Sequence, residues 1–435
     1  MRKRKKWLAT GLTSLGAMAA ADSALGSGFQ VRENSAAALG NAFAGAAASS
    51  EDASTVANNP AGMTALRGNQ VSGDLSIVIP SATFSGAGLN AARQPISGGN
   101  GGNAGGAQPV PAAYGVYDAA ADVKLGLALT VPFGLKTQYD SDWVGRYQAI
   151  KSDLEVVNVN PNIAYRITDW LSVGAGPAIQ HASAELTNAI NSTTLAHLAN
   201  PQLPAGLSLP DGYAHVTGDS WSVGYNLGVL AEISPGTRVG ASYRSQVSHR
   251  LDGTATLNVP APLSADPRLQ TTPSRTDFKT PDIATLAASS QISADLTLLA
   301  QVQWTNWSVV KNLRIERPDG SALLDQPEQW HGTWFGSIGA SYSPDPNWII
   351  RGGFAFDPTP VRGQFRTARI PDADRYWLSV GLGYRWTADL RFDAAYVHIF
   401  VSGASINEVS QTGDLLIGRY SDHIDIVSLS ATLRF

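Results

Sequence analysis

The chain has 435 residues, with 31 basic against 35 acidic side chains, 43 glycines, 24 prolines and no cysteine. The net charge of −4 excludes a dominant nucleic-acid role, because such proteins need a basic field. The lack of cysteine rules out disulfides, iron–sulfur clusters and thiolate zinc sites. Charged residues make up 15%, below the ~25% of typical soluble domains, and a hydrophobic content of 43% is too high for a disordered chain.

The first 26 residues have the pattern of a secretory signal peptide. Five basic residues at positions 2–6 precede an apolar run from Trp7 to Ala21, and small residues lead to a predicted cleavage before Ser27. A membrane anchor is the alternative, but the run is shorter than the ~20 residues that span a bilayer. Since no later stretch of 18 apolar residues occurs, the mature chain is expected to be periplasmic, secreted or a membrane β-barrel.

Residues 27–68 differ in composition from the rest of the chain. They are rich in alanine and glycine and carry few β-branched side chains. Ala36 to Ala48 predicts a short helix, while Asn59 and Pro60 have the preferences of an N-cap and a first helical position. Three segments are therefore predicted: a signal peptide at 1–26, an N-terminal hatch or plug of short helices at 27–68, and a β-barrel at 69–435.

Alternating side chains predict strands from about residue 69 onwards. In residues 123–131 and 221–229, bulky apolar side chains alternate with small or polar ones. A soluble β-sandwich would also alternate, but here the second face holds Gly, Ala, Ser and Thr rather than Lys and Glu. Tryptophans also recur near the strand ends, and an apolar band with aromatic girdles is typical of a membrane β-barrel.

The alternating strands, fourteen in number, predict an all-β transmembrane fold: a 14-stranded antiparallel outer-membrane β-barrel. Short turns alternate with long loops, as they do in outer-membrane barrels. Because about sixteen strands leave an aqueous channel, fourteen with a small-residue inner face should leave a lumen, which the segment 27–68 is expected to plug. The predicted strands are 69–84, 110–118, 123–138, 151–167, 170–187, 217–233, 236–257, 278–292, 295–317, 331–343, 347–357, 375–387, 389–401 and 420–435.

Motifs of known enzymes are missing from the sequence. It has no G-x-S-x-G, H-E-x-x-H or P-loop pattern, and its seven histidines lack the spacing of metal ligands. The chain is therefore expected not to be an enzyme, to use no cofactor and to hold no metal. A lipid hydrolase with a Ser–His pair on the barrel strands remains an alternative, and so does a general porin with an open lumen.

Several motifs, in a fixed order along the chain, carry a family resemblance. They are the segment from Ser27 to Leu66 with N-P-A at Asn59, Pro60 and Ala61, V-P-F-G-L at 131–135, W-V-G-R-Y at 143–147, N-V-N-P-N at 158–162, Q-W-T-N-W at 303–307 and P-D-A-D-R-Y-W at 371–377. In this combination the sequence resembles the FadL family, the outer-membrane long-chain fatty acid transporters of Gram-negative bacteria. The resemblance implies a fourteen-stranded barrel with an N-terminal hatch, and passive uptake of long-chain fatty acids or, in relatives, of aromatic hydrocarbons.

Candidate ligand-binding residues follow from the resemblance and from side-chain chemistry. Phe29 matches an N-terminal aromatic residue that reaches into the family's ligand pocket, with a packing anchor for the plug as the alternative. Arg146 and Lys311 are candidate partners of a carboxylate, against the alternative of charges on the outer rim. The long apolar loop 188–216 matches an outer loop that helps to form a groove for the incoming ligand, and its candidate residues are Leu195, Leu198, Leu203 and Leu207.

A break in the third predicted strand suggests an exit. Pro132 cannot donate to a strand ladder, and Gly134, next to Phe133, permits a bend. The family has a kink here that opens the wall sideways beside the hatch, whereas the alternative is an ordinary strand end. The expected partners are hydrophobic small molecules, outer-membrane lipid and lipopolysaccharide, with no nucleic acid and a monomeric state.

Overall fold

The computed structural model describes residues 27–204 and 206–435, so the predicted signal peptide at 1–26 lies outside the described residues. Nineteen strand segments and four short α-helices are found in these ranges. The strands are β1 (Gln70–Leu89), β2 (Gln108–Ala120), β3 (Val123–Gln138), β4 (Lys151–Thr168), β5 (Leu171–Ile190), β6 (Gly212–Ser234), β7 (Thr237–Arg244), β8 (Val247–Asn258), β9 (Thr272–Thr280), β10 (Ile283–Gln291), β11 (Leu296–Thr305), β12 (Asn312–Glu316), β13 (Ala322–Pro327), β14 (Thr333–Tyr342), β15 (Trp348–Asp357), β16 (Arg375–Arg385), β17 (Leu390–Val401), β18 (Ala404–Val409) and β19 (Leu415–Arg434). The helices are α1 (Ala36–Gly40), α2 (Ala46–Ser49), α3 (Thr55–Asn58) and α4 (Ser192–Ala199).

The strands form a closed antiparallel barrel with fourteen positions in its wall, which confirms the predicted fold class. β1 pairs with β19 along its whole length, from Gln70↔Arg434 to Leu89↔Leu415. The nineteen segments occupy fourteen positions because five pairs of consecutive segments each follow one another along the same part of the wall. These pairs are β7 with β8, β9 with β10, β11 with β12, β13 with β14, and β17 with β18. Closure leaves no free edge between the first and last strands, which matters because hydrocarbon offers the backbone no hydrogen-bond partner.

The strands differ from the predicted ones most clearly in five segments on the outer side. The predicted strand 236–257 is broken at Ser245 and Gln246, and 278–292 at Pro281 and Asp282, where proline has no N–H for the ladder. The predicted strand 295–317 was too long, since β11 ends at Thr305. The predicted loops 318–330 and 402–419 instead contain β13, which forms a hairpin with β12, and β18, which pairs with β19.

The outer face of the barrel is apolar and the inner face carries small polar side chains. Along β19, Val427, Leu429 and Leu433 are exposed, whereas the alternate serines and threonine are buried. Ser428 accepts a hydrogen bond from Ser76 across the β1–β19 seam at 2.8 Å. This is the alternation of a wall with hydrocarbon outside. No helix in residues 27–204 or 206–435 is long and apolar enough to cross a membrane.

Residues 27–69 lie inside the barrel and contact its wall on several sides. α1 packs on β16 and β17, α2 on β7 and β10, and a 3₁₀-helix at Pro60–Ala65 on β4, β5 and β6. The approach is close, since a Cβ on Gly240 would come within 1.9 Å of the Ala47 carbonyl oxygen. The predicted helix from Ala36 to Ala48 is two short helices, because Ala42 and Phe43 have positive φ angles of 52° and 59°.

Asn59 joins this N-terminal segment to the wall. Its side-chain oxygen accepts from the Ala61 N–H at 3.1 Å, which confirms the predicted N-cap before Pro60. Its amide nitrogen donates to the carbonyl oxygens of Ala47 at 2.7 Å and of Val229, on β6, at 2.9 Å. One fully buried side chain therefore satisfies three backbone groups of three different elements.

Buried ion pairs make a second connection on the other side of the lumen. Arg351 on β15 lies between Glu51 of the N-terminal segment at 2.7 Å and Asp393 on β17 at 2.9 Å. Arg391 on β17 pairs with Asp52 at 2.7 Å. Removing one partner from such a pair leaves an uncompensated buried charge, so these contacts fix the segment against β15 and β17.

We expect Asn59→Ala to loosen the N-terminal segment while the barrel stays folded. The substitution leaves the Ala47 and Val229 carbonyls and the Ala61 N–H without their buried partner, at about 1–3 kcal/mol for each unsatisfied group. Amide hydrogen exchange of residues 46–65 should accelerate about tenfold or more, with unchanged heat-modifiable mobility of the barrel on gels. Asn90→Ala, in the exposed loop after β1, is the control, and equal exchange in both variants would contradict this role of Asn59.

Candidate functional site

An apolar cavity of about 350 Å³ lies in the outer half of the barrel, above the N-terminal segment, and is called the outer cavity below. Strands β3–β6, β8, β9 and β12 and the loop 358–374 line it. Its volume is in the range of ~300–1,000 Å³ that is typical of small-molecule sites. The main apolar side chains are Leu135, Leu154, Leu186, Leu251, Phe278 and Ile315.

Phe29 forms the floor of the outer cavity and is only 2% exposed. Its ring centroid lies 4.6 Å from that of Trp307, 5.4 Å from Phe278 and 5.5 Å from Trp330. Gly28 makes this packing possible, because it has a φ of +61° and a Cβ there would come within 2.8 Å of Trp330. The side chain predicted to contact ligand therefore lies in an aromatic cluster at the cavity.

The chain on either side of Phe29 is hydrogen-bonded to β3 at the predicted break. The Gly134 N–H donates to the Phe29 carbonyl oxygen at 2.8 Å, and the Val31 N–H donates to the Pro132 carbonyl oxygen at 3.0 Å. Val131 and Pro132 together oppose Val157 on β4, so β3 carries a β-bulge here. The ring of Phe133 lies 5.9 Å from that of Phe29, so bulge and cavity floor are in contact.

The wall opens between β2 and β3 next to this bulge. The two strands pair from Ala120↔Val123 to Ala113↔Leu129 and no further. Beyond that point residues 108–112 pair only with β1, and residues 130–138 pair with β4 but not with β2. Prolines 109, 111 and 132 lie along the two separated edges and have no N–H to leave unsatisfied.

A basic side chain with unused hydrogen-bonding capacity lines one end of the outer cavity. Arg369 is 5% exposed and its Nη atoms donate to Ser152 and Asn188 at 3.1 Å, but its Nε has no partner among the described residues. Lys311 also lines the cavity, and no carboxylate in the described part of the chain lies within ion-pair distance of its ammonium group. The apolar cavity thus has a cationic end.

Glu328 lies at the same end, in the turn between β13 and β14 and outside the membrane-spanning strands. Its carboxylate accepts from the indole N–H of Trp330 at 2.9 Å. Burial raises the pKa of the Glu328 carboxyl to about 8, although the Trp330 hydrogen bond and the charge of Arg369 act in the opposite direction. The nearby Glu408 adds to the rise. Glu328 is therefore mostly neutral at pH 7.

The other predicted ligand-binding residues lie away from the outer cavity. Arg146 donates to Asp211 at 2.7 Å and to the Ser97 carbonyl at 2.8 Å, so it ties three outer loops together and does not line the cavity. The leucines of the loop 188–216 lie on the outer surface around α4, where Leu198 is 65% exposed and Leu195, Leu203 and Leu207 are half-buried. Of the two predicted cations, only Lys311 lines the outer cavity.

Sequence reasoning missed Arg369 and Glu328 as candidate site residues. Both lie in irregular outer segments, where no periodicity marks a side chain as inward-facing. Only the motif at 371–377, which begins two residues after Arg369, pointed to that loop. In residues 27–204 and 206–435, no group of three or more His, Asp or Glu side chains could hold a metal ion.

The pKa of Glu328 leads to a prediction about charge selectivity in the outer cavity. Below pH 8 the carboxyl is neutral, and above pH 8 its negative charge faces any bound anion. Laurate should therefore bind about threefold to tenfold more weakly at pH 9 than at pH 7, while dodecanol should bind equally at both. Isothermal titration of the purified protein measures this, and Glu328→Gln should abolish the difference. A difference that persists in this variant would contradict the assignment.

Comparison with known proteins agrees with this architecture. Residues 17–435 match the family model described as outer membrane protein transport protein (OMPP1/FadL/TodX). The long-chain fatty acid transport protein of Salmonella typhi is 28% identical over 397 residues, which cover 88% of this chain and 89% of the relative. The crystal structure of a Pseudomonas aeruginosa FadL homologue superposes with a TM-score of 0.88 at 26% identity, covering 94% of this chain and 100% of that one.

A structural neighbour that is named for a different substrate has the same fold. The Ralstonia pickettii toluene transporter TbuX has a TM-score of 0.64 at 23% identity, over 89% of this chain and 95% of that one. The family match over residues 17–435, the closed barrel and its occupied lumen all agree. The chain therefore belongs to the OMPP1/FadL/TodX family of outer membrane proteins that transport hydrophobic compounds.

Proposed function

We propose that this protein carries long-chain fatty acids passively across the polar outer layer of the outer membrane. The exposed and half-buried leucines around α4 collect the ligand, the outer cavity binds it, and the opening between β2 and β3 releases it sideways into the membrane. The observation that carries the choice of ligand is Arg369, a buried guanidinium at the end of an apolar cavity with an unused N–H. The relative from Salmonella typhi supports the same ligand class.

The outer cavity matches both parts of a fatty acid, the apolar tail and the carboxylate. Each buried methylene group contributes about 0.8 kcal/mol, so the apolar lining supplies most of the affinity. A carboxylate beside Arg369 and Lys311 gains a charge-assisted hydrogen bond to the buried Arg369, which fixes the orientation of the ligand. A neutral hydrocarbon would leave the Arg369 Nε without a partner.

The release step depends on the hydrogen bonds between the N-terminal segment and β3. Phe29 and Val31 close the space between the outer cavity and the β2–β3 opening, and two backbone hydrogen bonds hold them against Pro132 and Gly134. When ligand displaces Phe29, the adjoining backbone shifts and the bulge becomes accessible from the lumen. The N-terminal segment, the Phe29 side chain and the β3 bulge are thus connected by direct contacts.

Transport of aromatic hydrocarbons is the second candidate function. The four aromatic rings around Phe29 favour it, because they could pack edge-to-face against a planar ligand. The fold shared with the toluene transporter of Ralstonia pickettii is compatible with either ligand. The two candidates differ in whether the cationic end of the cavity contributes to binding.

Substituting Arg369 separates these candidates. Arg369→Gln should weaken the binding of oleate about tenfold or more, because a charge-assisted hydrogen bond in a buried site is lost. Binding of oleyl alcohol and of toluene should not change. Tryptophan fluorescence titration measures all three, with Arg362→Gln in the same loop as the control for loop structure. Equal affinity for oleate in both variants would exclude the fatty acid carboxylate from this end of the cavity.

Removal of the bulge tests the lateral exit. Deleting Pro132 lets Val131 oppose Val157, which restores the β3–β4 register and straightens β3. Uptake of radiolabelled oleate by a strain lacking its own fatty acid transporter should then fall at least fivefold, with unchanged oleate binding. Pro132→Ala keeps two residues opposite one and should retain most of the uptake. Full uptake after the deletion would show that ligand leaves by another path.

A further inference from the structure

A second cavity, called the inner chamber below, lies beneath Phe29 between the N-terminal segment and the wall strands β6, β7, β10 and β11. Its volume is about 80 Å³, room for two or three waters or one carboxylate group, since a water molecule occupies ~30 Å³. The residues that distinguish it are polar: Gln30, Arg32, Asn226, Arg244, Gln301 and Gln303. Gln30 separates it from the outer cavity, because its side-chain oxygen accepts from Gln303 at 3.4 Å.

The charges in the inner chamber are unbalanced. Two arginines line it, and no aspartate or glutamate is among its described lining residues. Arg32 has a partner, since it lies 3.6 Å from Asp357 and over the ring of Phe335 at 4.1 Å. Arg244 is different: among the described residues its guanidinium makes a single long hydrogen bond, 3.5 Å to the Ala57 carbonyl oxygen, and no carboxylate pairs with it.

A neighbouring amide adds an unused hydrogen-bond donor. Asn226 is 4% exposed, and its side-chain oxygen accepts from Asn160 at 2.9 Å. The Asn226 Nδ2 atom has no partner among the described residues. Asn226 is buried, and buried polar groups are normally satisfied. Its unpaired amide therefore indicates an anion as the missing partner, because it lies beside the half-buried Arg244 guanidinium, which has no carboxylate partner among the described residues.

The position of the inner chamber suggests which anion it receives. Phe29 lines the outer cavity and the next three residues, 30–32, line the chamber, while the backbone between them is hydrogen-bonded to the β3 bulge. A fatty acid that leaves through the β2–β3 opening places its tail in hydrocarbon while its carboxylate is still in the lumen. An unpaired carboxylate is strongly disfavoured there, so the headgroup needs a counter-charge below Phe29.

We propose that the inner chamber is a second anion site, in which Arg244 and Asn226 hold the ligand carboxylate while the tail passes to the opening. This proposal rests on the proposed function in taking a fatty acid as the source of the anion. The binding of an anion in the chamber does not depend on that function. It adds a stage to transport that the outer cavity cannot provide, because the two cavities lie on opposite sides of Phe29 and Gln30.

Two substitutions in the chamber test this stage. Arg244→Gln removes the charge, and Gln301→Glu supplies an internal carboxylate that can still accept from the Ala47 N–H, as Gln301 does at 3.3 Å. Each variant should lower uptake of radiolabelled oleate at least fivefold, with unchanged oleate binding to the outer cavity and unchanged uptake of oleyl alcohol. Arg250→Gln, on the outer surface of β8, is the matched control and should retain full uptake.

Crystals soaked in bromide test the anion chemistry independently of transport. An anomalous peak should lie within hydrogen-bond distance of the Arg244 guanidinium and should be lost in Arg244→Gln. Absence of the peak in the wild-type protein would overturn the site. If the peak is present but oleate uptake is unchanged in both variants, the chamber holds free anions only and the transport stage is wrong. A wild-type protein that takes up neither oleate nor oleyl alcohol would refute the proposed function instead, and the bromide peak alone would then decide whether the chamber binds anions.

Discussion

The backbone hydrogen bonds of the wall are the constraint on which the structure depends, because hydrocarbon cannot satisfy an exposed N–H or C=O group. Closure through the twenty-residue β1–β19 ladder removes the largest free edge. Between β2 and β3, where pairing stops early, prolines reduce the number of unsatisfied donors. The N-terminal segment then bonds to Pro132 and Gly134 from inside. The N-terminal segment and the wall next to the β2–β3 opening therefore stabilise each other.

Arginines in the lumen fall into two groups with different surroundings. Arg351 and Arg391 each form ion pairs with carboxylates of the N-terminal segment and of β17, so their charges are used in holding the segment. Arg369 and Arg244 have no carboxylate within ion-pair distance among the described residues, and each borders a cavity. Because a charge in the lumen without a counter-charge is unfavourable, the second group serves the ligand rather than the fold in the proposed function. Whether an arginine has a carboxylate partner, rather than how deeply it is buried, distinguishes a structural role from a role in the proposed transport.

The barrel could be predicted from the sequence because every wall strand meets hydrocarbon on one side, which imposes a period of two on the side chains. The N-cap at Asn59 and the break at Pro132 were also predictable, since proline and asparagine act locally. The partners of Arg146, Arg369 and Arg244 were not. Arg146 meets Asp211, 65 positions along the chain, and the two cavities arise from loops and strands far apart in sequence. Local patterns identify a strand, but only the closed fold determines which charge is paired.

The close packing of the N-terminal segment limits how the protein can be assembled. The segment is synthesised before β1, and β19, which completes the wall, is synthesised last. Backbone atoms of the segment approach the wall so closely at Gly240 and Gly353 that even a methyl group would clash. The two helices joined by the left-handed turn at Ala42 and Phe43 therefore fit their part of the lumen with little spare space. The wall strands must therefore gather around a segment that is already present, which makes the first folded residues a template for the membrane insertion of the rest.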